Sequence, residues 1–398
     1  MKNRKNLILL ITAVLFGAQF IGNYGNYQLA AIPGRIYEAF GLTDMQFSSL
    51  MTAPMLPSIF LSIIIGLMVD RFGISKMVSG CLAVAAAGFV MRCFATNYPT
   101  MLIAMALSGF GCMILNSNMA KIVSSLYPMD KVSKIVGILM AASSASMAVA
   151  FATTAAIPTL NVTFWIPAVV SLIVLVLWIA FARDRVFSGG APGGSSGTQV
   201  AEALKVCVRS RNLWLAGLTL MLILGASMVI SNFHVATLTS LKGYTENAAG
   251  SFNTVLMIGA IIGSIFLPVY VTKAPGKAPL LIFAMLLVTA ATCYGMVALP
   301  AFGIYVCAFL NGALRSGIIA TMMMTPVLLK EIGPALAGTA GGFIVTLELI
   351  GSVVIPTYII VPLGGGSLMS YFALATVCMA LAAVVCLIFM KTCGAFEK

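Results

Sequence analysis

Charge is what this 398-residue sequence has least of. Only 8% of its residues are charged, against a hydrophobic fraction of 61%, and its acids number ten. A soluble domain of this length needs a charged surface, so that class is excluded. Histidine occurs once, at His234, which rules out a histidine-based metal cluster and a Ser-His-Asp array of the usual kind. A phosphate-binding glycine loop and an ATPase domain are also missing, so hydrolysis of a nucleotide is not the energy source. The nine cysteines include no CxxC pair. Most fall inside apolar stretches (Cys81, Cys93, Cys112, Cys293, Cys307, Cys378, Cys386) and read as small apolar residues, neither a disulfide framework nor a metal site.

What the sequence has is length of apolar run. Mean hydropathy is +1.08, and twelve apolar stretches lie near 7–32, 45–69, 76–95, 99–126, 134–157, 161–182, 212–236, 248–270, 279–299, 301–329, 334–360 and 367–391. Each is long enough for a helix rising about 1.5 Å per residue to cross about 30 Å of hydrocarbon, and the alternation of barrel strands is absent. The fold class is an all-α membrane protein with twelve transmembrane helices. The first run, preceded by Lys2, Arg4 and Lys5, is too long for a signal peptide and lacks a clean small-residue cleavage site. It reads as the first span.

The net charge of +12 invites a nucleic-acid reading, but the placement of the charges argues otherwise. Threading twelve helices with the N-terminus inside puts Arg71, Lys76, Lys131, Lys134, Arg183, Arg185, Lys205, Arg209, Arg211, Lys273, Lys277, Lys330 and Lys391 on the same side as both termini. Only Arg35 and Lys242 fall in loops on the other side. This is the positive-inside bias: it predicts cytoplasmic termini and a multi-pass protein of the cell's inner (cytoplasmic) membrane, with the lipid bilayer, not nucleic acid, as its partner.

Six spans, a polar segment and six more spans divide the chain into an N-terminal bundle (1–184), a cytoplasmic linker (185–211) and a C-terminal bundle (212–398). The linker contains SGGAPGGSSG, a flexible composition, followed by EALKVCVRSR, a candidate short basic helix at the inner surface. LSGFGC (107–112) in the fourth span corresponds weakly to LNGALR (310–315) in the tenth, and KIVGILM (134–140) to ALAGTAG (335–341). Two related six-helix halves imply a pseudo-twofold repeat, which usually places a binding site between the halves near the membrane midplane.

Between the second and third spans stands GLMVDRFGISK, residues 66–76. It resembles the signature cytoplasmic loop of the major facilitator superfamily: Gly66, Asp70, Arg71, Gly73 and Lys76 match the pattern, while Ile74 and Ser75 depart where the family is usually basic. The counterpart VTKAPGKAP keeps Gly276 and Lys277 but no acid. The resemblance spans the whole chain. It implies two pseudo-symmetric six-helix bundles, alternating access, and a conformational latch at Gly66, Asp70, Arg71 and Gly73 that acts at the inner face without touching substrate. SLMTAPMLPSIFLSIIIGLMVDRFG and NSNMAKIVSSLYP further resemble the organic and inorganic anion branches, such as cyanate-type and oxalate-type transporters. The fifth span, GILMAASSASMAVAFATTAAIP, lacks in its body the Gly-Pro motif usual in drug and proton antiporters.

Ionisable groups within spans are functional candidates by default, since each costs about 2.5 to 3.5 kcal/mol at mid-membrane. Glu348, in the eleventh span, is the only acid so placed, and Arg315 lies at a similar depth in the tenth. Those spans are consecutive and antiparallel, so a direct Arg315–Glu348 pair is expected, either a fixed bridge or a switch. Arg92 and Lys121 lie near span ends, where snorkelling accounts for them, and Arg35 follows Pro33-Gly34 at the outer end of the first; attraction of anions at a vestibule is the alternative for all three. His234 reads as a hydrogen-bonded residue near the outer end of the seventh span, with a proton role left open. Neutral polar residues mark one face of each path-lining helix: Gln19, Asn23, Asn26 and Tyr27 in the first, Ser108, Cys112 and Asn116 with nearby Asn118 in the fourth, Ser227, Ser231 and His234 in the seventh, and Asn311 with Arg315 in the tenth. By family resemblance these four helices surround the transport path. Taken singly, each Ser or Asn is as well explained by helix–helix contact.

These features point to a monomeric secondary transporter, without cofactor and not an enzyme, that moves a small anion with protons. Arg315, Asn311, Asn23, Asn26, Tyr27, Gln19, Asn116 and Ser231 are the candidate substrate-binding residues, and Glu348 is the candidate proton carrier. Proton-coupled efflux of a cationic drug is the alternative, supported by 25 methionines able to line a permissive pocket. A non-transporting sensor on the same fold is a third reading, with less use for Asp70 and Arg71.

Overall fold

In the computed structural model the described residues are 2–59, 72–182, 186–187, 205–273, 278–323, 329 and 332–393; within them the side chains of 2–4, 111–114, 116–118, 120, 129–130, 133, 272–273 and 333–338 are not described. Apart from short connections the described backbone is helical, and ten of its helices are long and apolar enough to cross a membrane. Large aliphatic side chains point outward on them, with Val176 63% and Ile179 59% exposed. Such exposure fits hydrocarbon as solvent and would be a liability in water. Two compact units, Met1–Gly194 and Ser195–Lys398, make up the chain.

In the first unit, α1 (Lys2–Ala31) leads through Pro33 into α2 (Pro33–Phe40), and α3 (Asp44–Thr52) begins with a capping box between Thr43 and Gln46. Helix α3 and the 3-10 turn Ala53–Met55 open the second expected span, whose remainder includes residues 60–71, outside the described residues. Then come α4 (Ile74–Cys93), α5 (Tyr98–Leu126), α6 (Met129–Thr153) and α7 (Leu160–Phe181). Helix α1 packs on α6 and α7, and α4 lies between α5 and α7. A Cβ at Gly88 would overlap the backbone N of Ser108, so α4 meets α5 backbone to backbone.

The second unit holds α8 (Arg211–Lys242), α9 (Glu246–Lys273), α10 (Ala278–Ala298), α11 (Ala301–Met322), α12 (Gly333–Val354) and α13 (Leu368–Thr392). Ser210 caps α8 by accepting from the Leu213 N–H, and Gly243 ends it in the left-handed conformation. Helix α11 packs most extensively on α9 and then α10, while α12 packs on α8. Pro356 opens a π-helical turn, Ile355–Ile360, that extends α12 with a change of register.

Candidate functional site

The second unit carries Arg315 and Glu348, the two charges expected at mid-membrane. Arg315, 14 residues after the start of α11, is only 8% exposed. One turn earlier, Asn311 is fully buried and donates from Nδ2 to the Thr289 carbonyl (3.0 Å) and to Thr292 Oγ1 (3.3 Å), both on α10. Its Oδ1 has no hydrogen-bond partner. Ser231 and Ser227 are buried on α8.

Glu348 differs from expectation. Helices α11 and α12 are consecutive, yet each packs mainly elsewhere, α11 on α9 and α10 and α12 on α8. The expected direct pair with Arg315 is not formed: Glu348 has no ion-pair partner among the described residues, and its Oε2 is buried with no hydrogen-bond partner. Antiparallel succession joins two helices at one end. It does not make them neighbours along their length.

In the first unit the polar face of α1 is engaged with its neighbours. Asn23 Nδ2 donates to the Gln19 carbonyl (2.9 Å) and to Ser143 Oγ of α6 (3.2 Å), and Asn26 Oδ1 accepts from Ser108 Oγ of α5 (3.0 Å). Gln19 is buried, and Tyr27 is half-buried, its ring tilted against Phe151 at 6.3 Å. The side chain of Asn116 lies outside the described residues.

Arg92 also differs from expectation. Instead of snorkelling it is 0% exposed, donating to the Gly25 carbonyl (2.5 Å) and Gln28 Oε1 (2.7 Å) of α1. Its guanidinium carbon sits 4.8 Å from the Phe164 ring centroid and 5.5 Å from that of Phe89. Two acceptors on α1 and two aromatic rings replace the water that snorkelling would have sought, while Nε is buried without a hydrogen-bond partner. Arg35 likewise turns to protein, donating to the carbonyls of Ile157 (2.6 Å) and Ala155 (2.8 Å) beyond α6.

Of the signature loop, Gly66, Asp70 and Arg71 lie outside the described residues. Gly73 caps α4 with φ +85° and ψ 155°, a backbone conformation that side-chain-bearing residues rarely adopt. Ser75, one of the two departures from the family pattern, donates through Oγ to the Ala182 carbonyl, and its own carbonyl accepts from Trp178 Nε1 at 3.2 Å. A basic residue there would lose the first of these bonds. The partners Gln28, Ser143, Thr289 and Thr292 were not singled out by the sequence, because isolated Ser, Thr or Gln residues carry no periodic signal.

A bundle of long apolar helices enclosing a few buried charges defines a polytopic helical membrane protein. The profile described as Major Facilitator Superfamily matches residues 8–356, so the chain belongs to that superfamily and is a secondary transporter, not an enzyme. No curated protein matches the chain. Among solved structures, the nucleoside transporter NupG is similar at a TM-score of 0.73 and 14% identity, covering 99% of this chain and 100% of that one. A bacterial homologue of the human lysosomal transporter Spinster, inward-facing and unoccupied, is similar at a TM-score of 0.72 and 14% identity, over 98% and 97%. At such identity the likeness shows the fold alone.

Proposed function

We propose that this transporter carries a small organic anion, a carboxylate by first choice, together with a proton. The reading rests chiefly on the burial of Arg315 at mid-helix. A guanidinium offers a planar fork of donors matched to a carboxylate, and a desolvated one binds it more strongly than a solvated one. Asn311, one turn away, presents an unpartnered Oδ1 that suits a hydroxyl or protonated oxygen on the substrate. Glu348 takes the proton. It has no fixed cationic partner among the described residues, so a permanent bridge does not account for it. The resemblance to the cyanate-type and oxalate-type branches agrees with an anionic substrate.

The same reading places both termini in the cytoplasm, segment 185–211 as a tether, and Gly66, Asp70, Arg71 and Gly73 as the inner latch of alternating access. The first-span residues Gln19, Asn23, Asn26 and Tyr27, with Asn116 and Ser231, contribute by holding or lining the path; Asn23 and Asn26 do so while bonded to α6 and α5.

Uptake of radiolabelled mono- and dicarboxylates into proteoliposomes, with and without an imposed proton gradient, tests the reading. Arg315→Gln is expected to reduce uptake at least about tenfold, from the loss of one charge-assisted hydrogen-bonding group. Glu348→Gln is expected to abolish accumulation driven by the pH gradient while substrate exchange persists. Unchanged pH dependence in that variant sinks the coupling role; uptake indifferent to Arg315 sinks the anion.

A further inference from the structure

His234 is the only histidine of the chain, and it lies wholly buried eight residues before the end of α8. Both ring nitrogens face oxygen. Nδ1 is 2.5 Å from Oδ1 of Asn253 on α9, and Nε2 is 3.2 Å from the carbonyl oxygen of Met296 on α10. A neutral imidazole has one donor nitrogen and one acceptor, so two oxygen partners are the surroundings of an imidazolium. The Asn253 amide also serves the neutral ring. Turned by half a revolution, its Nδ2 donates to Nδ1, and the ring keeps its proton on Nε2 for Met296.

The two arrangements hold equal numbers of hydrogen bonds. As the amide stands, Nδ2 is buried without a partner; turned over, Oδ1 takes that place. A proton therefore arrives or leaves without orphaning a ring nitrogen. The charge it brings is held by two acceptors, which a buried charge requires.

We propose that His234, Asn253 and the Met296 carbonyl form a reversible proton-binding site, in which the Asn253 amide turns over as the proton binds and leaves. The charged groups on the helices packed around it are Lys242 and Arg211 on α8, Glu246 and Lys273 on α9, Arg315 on α11, Glu348 on α12 and Lys391 on α13; α10 has none. The Nζ of Lys242 is tied to the Leu299 carbonyl. The ring of Phe372 on α13 is tilted against that of His234, their centroids 6.0 Å apart. On α10, Met296 follows by one turn the Thr292 that bonds Asn311. The proton site thus adjoins, along one helix, the residue pair that positions α11 around Arg315.

A lone histidine makes the test direct. Full-length protein labelled with nitrogen-15 histidine, its affinity tag removed, gives one imidazole when placed in lipid nanodiscs. Its nitrogen-15 spectra are recorded from about pH 8 down to about pH 5. The expected result is a neutral ring protonated on Nε2 at the high end and a doubly protonated ring at the low end. Asn253→Leu, which removes the acceptor, is expected to move the transition at least about one pH unit lower, and Asn253→Asp to keep the ring doubly protonated throughout. A neutral ring over the whole range in the native protein, or a transition indifferent to both substitutions, overturns the site. The signal comes from His234 itself, so its failure leaves the Arg315 and Glu348 reading intact, and the transport assays decide that reading separately.

Discussion

Arg92 illustrates how a residue at a helix end becomes a structural pin. Its two donors reach the Gly25 carbonyl and Gln28 Oε1, residues 67 and 64 positions away in the chain, and its flat faces meet Phe164 and Phe89. Replacing it with Met keeps the stem but leaves two buried acceptors without their donor, at a cost of about 1 to 3 kcal/mol. Arg92→Met is therefore expected to lower the melting temperature in detergent by several degrees. Arg92→Lys is expected to fall between the two, since a single ammonium cannot reproduce the fork. Gly73 carries a different kind of constraint. At φ +85° any side chain is strained, so Gly73→Ala is expected to cost about 1 to 3 kcal/mol, seen as reduced thermal stability of the whole chain. A mutant as stable as the native protein would show that the turn can rearrange.

Among the helices, α9 and α11 depend on small residues. A Cβ at Gly312 would overlap the Leu256 carbonyl oxygen, and one at Gly263 would overlap that of Ala313, so the two backbones touch on both sides of the contact. Close approach of this kind gives van der Waals contact where hydrocarbon supplies no hydrophobic drive. Gly312→Leu is expected to separate the helices and abolish both stable expression and uptake, whereas Gly41→Ala in the first unit meets no neighbour and perturbs only its own turn. Size-exclusion profiles and melting curves distinguish these outcomes. Asn311 is bonded across to α10, so Asn311→Ala is expected to weaken transport with a smaller loss of stability than Gly312→Leu.

For the whole molecule the distribution of basic residues predicts orientation. A reporter active only in the cytoplasm, fused after Lys398, is expected to be active, while a cysteine introduced at residue 245, next to Lys242, is expected to react with an impermeant thiol reagent from outside intact cells. Reaction only after permeabilisation would reverse the topology.

The apolar runs decided that this chain is a helical membrane protein, because each backbone group in hydrocarbon must find its partner within the same helix and only long apolar helices meet that demand. The superfamily was also legible, through GLMVDRFGISK and the overall plan of spans. The partners of the buried polar groups were not. Asn26 finds Ser108, 82 residues away, and Asn23 finds Ser143, 120 away, while Arg315 and Glu348 on successive helices do not pair. In a soluble protein the polar side of a helix would reveal which face turns inward. In a membrane both the lipid face and the packed face are apolar, so the rotation of each helix about its axis was left for tertiary packing to decide.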